Sequence, residues 1–361
     1  MRVVVCGNYG VGNIGDEAIL EGLKNVLNKT YSKAYITVLG KGMHFPLGIR
    51  SLIRSVFQWK LWHKPYKAIR ECDLFILGGG GLLTDAEGFF VPFFWAFHAF
   101  TALSSKKKVL CLGQSVGPLT TINAWMAKKL FQKASFVTVR DKASLELLKK
   151  WGIPAHMFSD FAFAIDYVPV KKRELNKHVI IIGREFKNIN DGAYNILVRF
   201  LKWLSEDLTY KIAFIPFQNE QVNDKEFLNK ILILAPELTS RIEVLDYSNV
   251  DTRKAIDELA KADAILSIRL HGGILASIAG TPFLPLYYMN KVRDFWRSFP
   301  EITPLAPGNL DLKEMKEAFL KLLQNSEKIR NQMAFFVEEQ KALAMRHREI
   351  ISHENAGNCP P

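Results

Sequence analysis

The sequence predicts an α/β protein of two facing domains, each a parallel sheet with helical crossovers, and three observations predict it. Short apolar or β-branched runs alternate with helix-sized stretches along most of the chain. The alternation lapses once, over residues 166–177, where Pro169 precedes Lys171, Lys172 and Arg173 and no apolar periodicity persists. The 361 residues, at about 150 per domain, suffice for two cores. A composition 48% hydrophobic and 23% charged excludes disordered, collagen-like and disulfide-scaffold classes.

Taken in order, the runs at 2–6, 35–39, 73–77, 108–112 and 136–139 are the strands of a first domain, 1–168. Those at 178–182, 211–216, 242–245, 264–268 and 283–287 are the strands of a second, 169–325. Residues 311–350 read as two amphipathic helices, so that 326–361 forms a C-terminal helix and a polar, frayed tail. Residues 89–103 are largely apolar but fall short of the roughly 20 residues a membrane span needs, and are read as a buried helix.

Four cysteines stand far apart with no C-x-x-C pair, which predicts neither zinc nor a disulfide framework. The apolar start is too short for a signal-peptide core, so a reducing cytoplasm is the expected compartment. Net charge is +12, and its distribution is uneven: residues 1–170 hold 21 Lys and Arg against 11 Asp and Glu, residues 171–361 hold 27 against 25. A basic front half implies an anionic partner: nucleic acid, an anionic membrane or a phosphorylated substrate. With no zinc finger, RNP-like aromatic motif or helix-turn-helix, nucleic acid is not expected.

In open α/β sheets ligands sit beyond the carboxyl ends of the strands, so the segments after each strand carry the candidates. After the first comes GNYGVGNIGDE, residues 7–17. Gly10, Gly12 and Gly15 match the dinucleotide fingerprint, but Asp16 and Glu17 compete with a pyrophosphate for the positive helix end. A plain glycine turn before an acidic helix start is the alternative. After the third strand, Gly78, Gly79, Gly80 and Gly81 read as a loop exposing backbone amides to an anion or sugar, or as a structural turn. Arg140 stands at the tip of the fifth strand, placed for a phosphate or carboxylate clamp or for a surface pair with Asp141, which is also placed to cap the next helix. In the second half Gly183-Arg184 follows the first strand and Arg269-Leu270-His271-Gly272 the fourth. A histidine between an arginine and glycines at a strand-to-helix turn is a better acid/base candidate than the seven others. Asn290-Lys291-Val292-Arg293 adds cations past the last strand. No phosphate loop, H-E-x-x-H or G-x-S-x-G motif occurs, and no metal-ligand spacing is seen.

The ordered set, residues 7–17, 78–81, 139–141, 269–272, Gly280–Pro282 and the Tyr288, Lys291, Val292 cluster, resembles the bacterial polysaccharide pyruvyl transferase family from about residue 3 to about 325. The resemblance implies a GT-B-like fold of two facing Rossmann-like domains, the first on the acceptor side and the second on the donor side. It implies transfer of the pyruvyl group of phosphoenolpyruvate to two hydroxyls of a sugar in a cell-surface glycan or its lipid-linked precursor. The products are a cyclic ketal and phosphate, with no cofactor. It assigns Arg140, His271 and Lys291 to donor binding and catalysis, and Tyr9, Asn13 and Asp16 to the acceptor. Asn8, Met289 and Asn290 depart from the family pattern where acceptor identity is read. Arg184 and Arg269 would add to neutralising the two anionic groups of the donor, Gly79 and Gly80 would line the substrate, and His271 and Asp16 are the acid/base candidates.

Residues 41–70 hold seven Lys and Arg and no carboxylate, with Phe57, Trp59, Trp62 and Tyr66 interleaved. That composition suits peripheral contact with an anionic membrane at the inner face of the plasma membrane, or a core helix with solvated lysines. Three other functions remain open: a GT-B nucleotide-sugar glycosyltransferase, a Rossmann oxidoreductase and a non-catalytic glycan- or membrane-binding protein. Leu39-Gly40-Lys41, where a ribose-binding carboxylate would stand, counts against the oxidoreductase.

Overall fold

The computed structural model describes residues 1–41, 60–169, 176–185, 191–218, 223–247, 251–287 and 299–353. The chain divides into two compact units, one of residues 1–11, 16–166 and 340–361, the other of residues 12–15 and 167–339.

The first unit contains strands β1 (Arg2–Cys6), β2 (Tyr35–Leu39), β3 (Leu74–Leu77), β4 (Gly80–Leu83), β5 (Lys108–Val116), β6 (Phe136–Val139) and β7 (His156–Met157). Its helices are α1 (Ile14–Thr30, from Asp16 on), α2 (Lys60–Glu71), α3 (Val91–Ser104), α4 (Thr121–Lys133) and α5 (Lys142–Lys150). All pairings are parallel, in the order β2-β1-β3-β5-β6-β7, with β4 also on β5. The runs are apolar throughout because both faces are covered. Val3, Val5, Leu74, Ile76, Leu110 and Leu112 pack with Leu23, Val26 and Leu27 of α1. Val4, Cys6, Phe75, Leu77, Val109 and Cys111 pack with Trp95, Ala99 and Ala102 of α3.

Three expectations are corrected here. Gly80 and Gly81 do not stay in a loop: they open β4, which pairs with β5 at Gly80–Gln114 and Leu83–Val116. With that second partner β5 runs to Val116 rather than stopping at 112. Helix α3 is not wholly buried; it buries Trp95, Ala96, His98, Ala99 and Ala102, while Phe93 and the preceding Phe89 and Phe90 are exposed.

The second unit contains β8 (His178–Ile182), β9 (Lys211–Phe214), β10 (Ile242–Val244), β11 (Ala264–Ser267) and β12 (Phe283–Pro285), all parallel in the order β10-β9-β8-β11-β12. Its helices are α6 (Asp191–Lys202), α7 (Asn223–Leu234), α8 (Thr252–Lys261), α9 (Leu270–Ala279), α10 (Leu312–Gln324) and most of α11 (Ser326–Met345). Asp251 and Asp311 cap α8 and α10, accepting from Arg253 N at 2.9 Å and Glu314 N at 2.9 Å.

The C-terminal stretch forms three helices rather than two, because α12 (His347–His353) follows α11 as a separate turn. It belongs to the first unit. His347 is fully buried there, its Nε2 2.9 Å from Thr138 Oγ1, its Nδ1 2.8 Å from Ala344 O and its ring 4.2 Å from that of Phe161.

Candidate functional site

Each parallel sheet reverses its strand order once, between β1 and β3 in the first unit and between β8 and β11 in the second. At such a point adjacent connections leave to opposite faces and open a crevice beyond the strand ends. The residues singled out from the sequence fall largely at these two places.

At the β1/β3 reversal Tyr9 folds back over the strand ends and is buried. A β-carbon on Gly7 would lie 2.5 Å from its ring, and one on Gly78 would overlap its hydroxyl. Glycine is thus required at both positions to admit a phenol. Among the described residues the Tyr9 hydroxyl has no hydrogen-bond partner, and burial, followed by the charge of Asp16, raises its pKa. Asn8 Nδ2 donates to Asp16 Oδ2 at 2.7 Å, and Gly10 N donates to Glu17 Oε1 at 2.5 Å. The Gly10 amide, which a dinucleotide would use, is therefore taken up by a carboxylate of α1, which argues against the fingerprint reading. A β-carbon on Gly79 would come 3.2 Å from Gly113 O and 3.2 Å from Ile19, and one on Gly80 3.9 Å from Asp16 Oδ1, so Gly79 packs against β5 and α1 and Gly80 stands beside Asp16.

Arg140 lies at the tip of β6, two strands from β3 and away from the reversal. Its guanidinium pairs with Asp160, both side chains being largely buried. Asp141 is engaged elsewhere: it caps α5 through Ser144 N at 2.8 Å and accepts from Ser115 Oγ at 2.5 Å. The Arg140–Asp141 surface pair is replaced by a buried Arg140–Asp160 pair.

At the β8/β11 reversal Arg184 is half-buried after Gly183. Its neighbour Glu185 accepts from Lys230 Nζ at 2.8 Å and from the Tyr194 hydroxyl. Arg269 stands at the N-cap of α9, and its Nε donates to Asp224 Oδ2 at 3.1 Å, with Nη2 on the other carboxylate oxygen. Asp224 is fully buried and also accepts from Phe217 N at 2.9 Å and Gln218 N at 3.1 Å. Residues 12–15 lie in this same unit: Ile14 N donates to Phe217 O at 2.9 Å, Asn13 bridges Gln218, and Asn13 Oδ1 accepts from Gly15 N at 3.0 Å. His271, in the first turn of α9, lies against Gly15, whose β-carbon would fall 2.5 Å from its Nδ1.

The structure thus gathers Asn13, Arg269 and His271 around one network, and adds Asp224 and Gln218, which sequence reasoning missed. Asp224 reads as an ordinary acidic residue in the first turn of a helix, and its partner is 45 positions away. Lys291 lies outside the described residues. Among the described residues, no three His, Cys, Asp or Glu side chains form a metal-binding group.

A model of the polysaccharide pyruvyl transferase family matches residues 13–290, most of the chain. The chain belongs to the polysaccharide pyruvyl transferase family. This is a transferase family, and the matched stretch contains Asn13, Asp16, Gly79, Gly80, Arg140, Arg184, Arg269 and His271. Tyr9 and Lys291 fall just outside it. No curated protein matches the chain. Among solved structures, UDP-GlcNAc 2-epimerase from Neisseria meningitidis, bound to UDP-GlcNAc, is 13% identical with a TM-score of 0.62, over 99% of this chain and 100% of that one. Anabaena Alr3699/HepE in complex with UDP is 13% identical with a TM-score of 0.61, again over 99% and 100%. At these identities the likeness shows the fold, that of GT-B enzymes and epimerases, for this pyruvyl transferase family member.

Proposed function

We propose that the protein transfers the pyruvyl group of phosphoenolpyruvate to two hydroxyls of one sugar in a cell-surface glycan or its lipid-linked precursor. The observation that carries this reading is the Arg269–Gly272 turn at the β8/β11 reversal, with His271 held against Gly15, inside the stretch matched by the family. Protonation of C3 of the enol makes C2 an oxocarbenium-like carbon. One sugar hydroxyl bonds to C2 and gives up its proton, the C2–O bond to phosphate breaks, and the second hydroxyl closes the ketal. The sequence needs an acid at the methylene and a base at the hydroxyls, and His271 and Asp16 are assigned these roles. Arg140, Arg184, Arg269 and Lys291 are assigned to the phosphate and carboxylate of the donor, and Tyr9, Asn13, Gly79 and Gly80 to the sugar. Arg140 and Arg269 each also face a buried carboxylate, Asp160 and Asp224.

Calorimetry of phosphoenolpyruvate, UDP and NAD with wild type and Arg140→Ala tests the reading. Phosphoenolpyruvate binding by wild type, weakened in the variant, supports it. UDP binding without phosphoenolpyruvate binding would favour a nucleotide-sugar transferase, the second reading, which rests on the UDP-containing relatives of this fold.

A further inference from the structure

The first unit carries an apolar face that its own core does not use. Phe89, Phe90 and Phe93, at the start of α3, and Ile122 and Trp125, in the first turns of α4, are all exposed, Phe90 by 72% and Trp125 by 64%. They share one seam: buried Asn123 donates to Phe89 O at 2.8 Å and to Asp85 Oδ1 at 2.5 Å, tying the first turn of α4 to the segment that leads into α3. The Phe89 and Phe90 rings meet edge to face at 5.3 Å. Scattered exposed apolar residues need no explanation, but five large ones around a single seam form a patch.

Its surroundings indicate the occupant. Along α4 the residues after Trp125 include Lys128, Lys129 and Lys133 and no carboxylate; the carboxylates beside the seam are Glu87 and Asp85, and Asp85 accepts from Asn123 and from Thr120 N. On α4, Trp125 is followed one turn later by exposed Lys129, so that a single helix face runs from apolar to cationic. Helix α2, joined to α3 through Trp62 and Phe97 at 6.3 Å, adds exposed Tyr66 with Arg70 over its ring at 5.8 Å. Aromatic side chains backed by lysines on neighbouring turns match the boundary between acyl chains and anionic headgroups, where the rings enter the bilayer and the ammonium groups stay at phosphate level. No helix among the described residues is long and apolar enough to cross a membrane, so this contact lies on the surface.

We propose that the face formed by Phe89, Phe90, Phe93, Ile122 and Trp125, with Lys129 beside it, docks the protein on an anionic lipid bilayer. This stands independently of the reaction. It also differs from the membrane contact expected over residues 41–70, of which 42–59, with Arg50, Arg54, Phe57 and Trp59, lie outside the described residues.

Co-sedimentation of the full chain with phosphatidylcholine vesicles, with and without phosphatidylglycerol, tests it. Wild type should pellet with the phosphatidylglycerol vesicles and much less with phosphatidylcholine alone. Phe90→Ser/Trp125→Ser should weaken binding about tenfold at an unchanged thermal midpoint, because both side chains are already in water. Lys128→Gln/Lys129→Gln should weaken it about fivefold per lysine and flatten its salt dependence. The proposal is overturned if wild type does not pellet with phosphatidylglycerol vesicles, or if both double variants pellet as wild type does. It is equally overturned if sedimentation velocity shows a wild-type dimer that Phe90→Ser/Trp125→Ser turns into monomers without loss of vesicle binding, since the patch would then belong to a second copy of the chain.

Discussion

The imidazole of His271 occupies the space that a β-carbon on Gly15 would need, its Nδ1 2.5 Å from that position. Gly15 lies at the start of α1, where alanine is the better helix former, so a substitution there acts through the histidine rather than through the backbone. Gly15→Ala is expected to push the ring out of place and lower turnover by about 10²- to 10⁴-fold, the usual worth of a positioned acid/base group. His271→Ala should lose a similar factor, and the double variant little more than either alone, as measured by phosphate release from phosphoenolpyruvate. Multiplying losses in the double variant would separate the two residues.

Tyr9 and Gly78 form a second such pair, with the opposite consequence for stability. The buried phenol hydroxyl has no partner among the described residues, so burying it costs about 1–3 kcal/mol that a phenylalanine would not lose. Tyr9→Phe should therefore raise the urea midpoint. Gly78→Ala should destabilise wild type by overlapping that hydroxyl, and Tyr9→Phe should rescue it, since the next ring atom is 3.2 Å from the added carbon. A Tyr9→Phe variant less stable than wild type would mean that the hydroxyl is hydrogen-bonded in solution.

These pairs show what the sequence made legible and what it left hidden. The ten strands read from apolar runs all exist, because a strand covered on both faces leaves a continuous run that needs no partner information. Strand β4 was hidden because Gly80 and Gly81 have no side chains to signal burial, and only β5 makes them a strand. Of the candidate residues, those after strands were found by position alone. Their partners were not: Asp160 for Arg140, Asp224 for Arg269 and Gly15 for His271 lie 20, 45 and 256 positions away, and no local pattern encodes such a pairing.

Asp224 is the clearest case of a residue that acts through others. Fully buried, it holds Arg269 and the amides of Phe217 and Gln218, fixing the turn from which α9 starts. Asp224→Ala leaves a buried guanidinium and two amides without their acceptor, and should cost about 3–5 kcal/mol in chemical denaturation. A loss under about 1 kcal/mol would show that water reaches the pair freely.

Two buried histidines set an acid limit on stability. Burial holds His347 and His98 to about 4, below their ordinary 6.5. Below pH 6.5 the unfolded chain takes up protons at these sites that the folded chain refuses until about pH 4. Stability is therefore complete above pH 7 and falls as pH drops from 6.5 to 4, by up to about 1.4 kcal/mol per pH unit for each histidine. His347→Gln should lower stability at pH 7 and remove its share of that slope. Denaturant midpoints at pH 7, 6, 5 and 4.5 measure both, and an unchanged slope in the variant would place His347 in contact with solvent.

Arg140 is the residue whose structural and functional roles most need separating. Its guanidinium and Asp160 are both nearly enclosed, so Arg140→Met takes the guanidinium from a buried carboxylate and should cost about 3–5 kcal/mol whether or not the arginine touches a substrate. Asp160 also accepts from Ala162 N at 2.9 Å, a bond that asparagine can keep, so Arg140→Met/Asp160→Asn should recover much of the stability. In that restored background the binding of phosphoenolpyruvate becomes a clean readout. If the guanidinium meets the donor, the double variant folds yet binds phosphoenolpyruvate at least tenfold more weakly, since a charge-assisted hydrogen bond is worth about 1.5–3 kcal/mol. Asp160→Asn alone, which keeps the arginine and removes the Asp160 charge beside it, should bind at least as tightly as wild type. Wild-type affinity in the double variant would confine Arg140 to holding the end of β6 against the segment that carries Asp160.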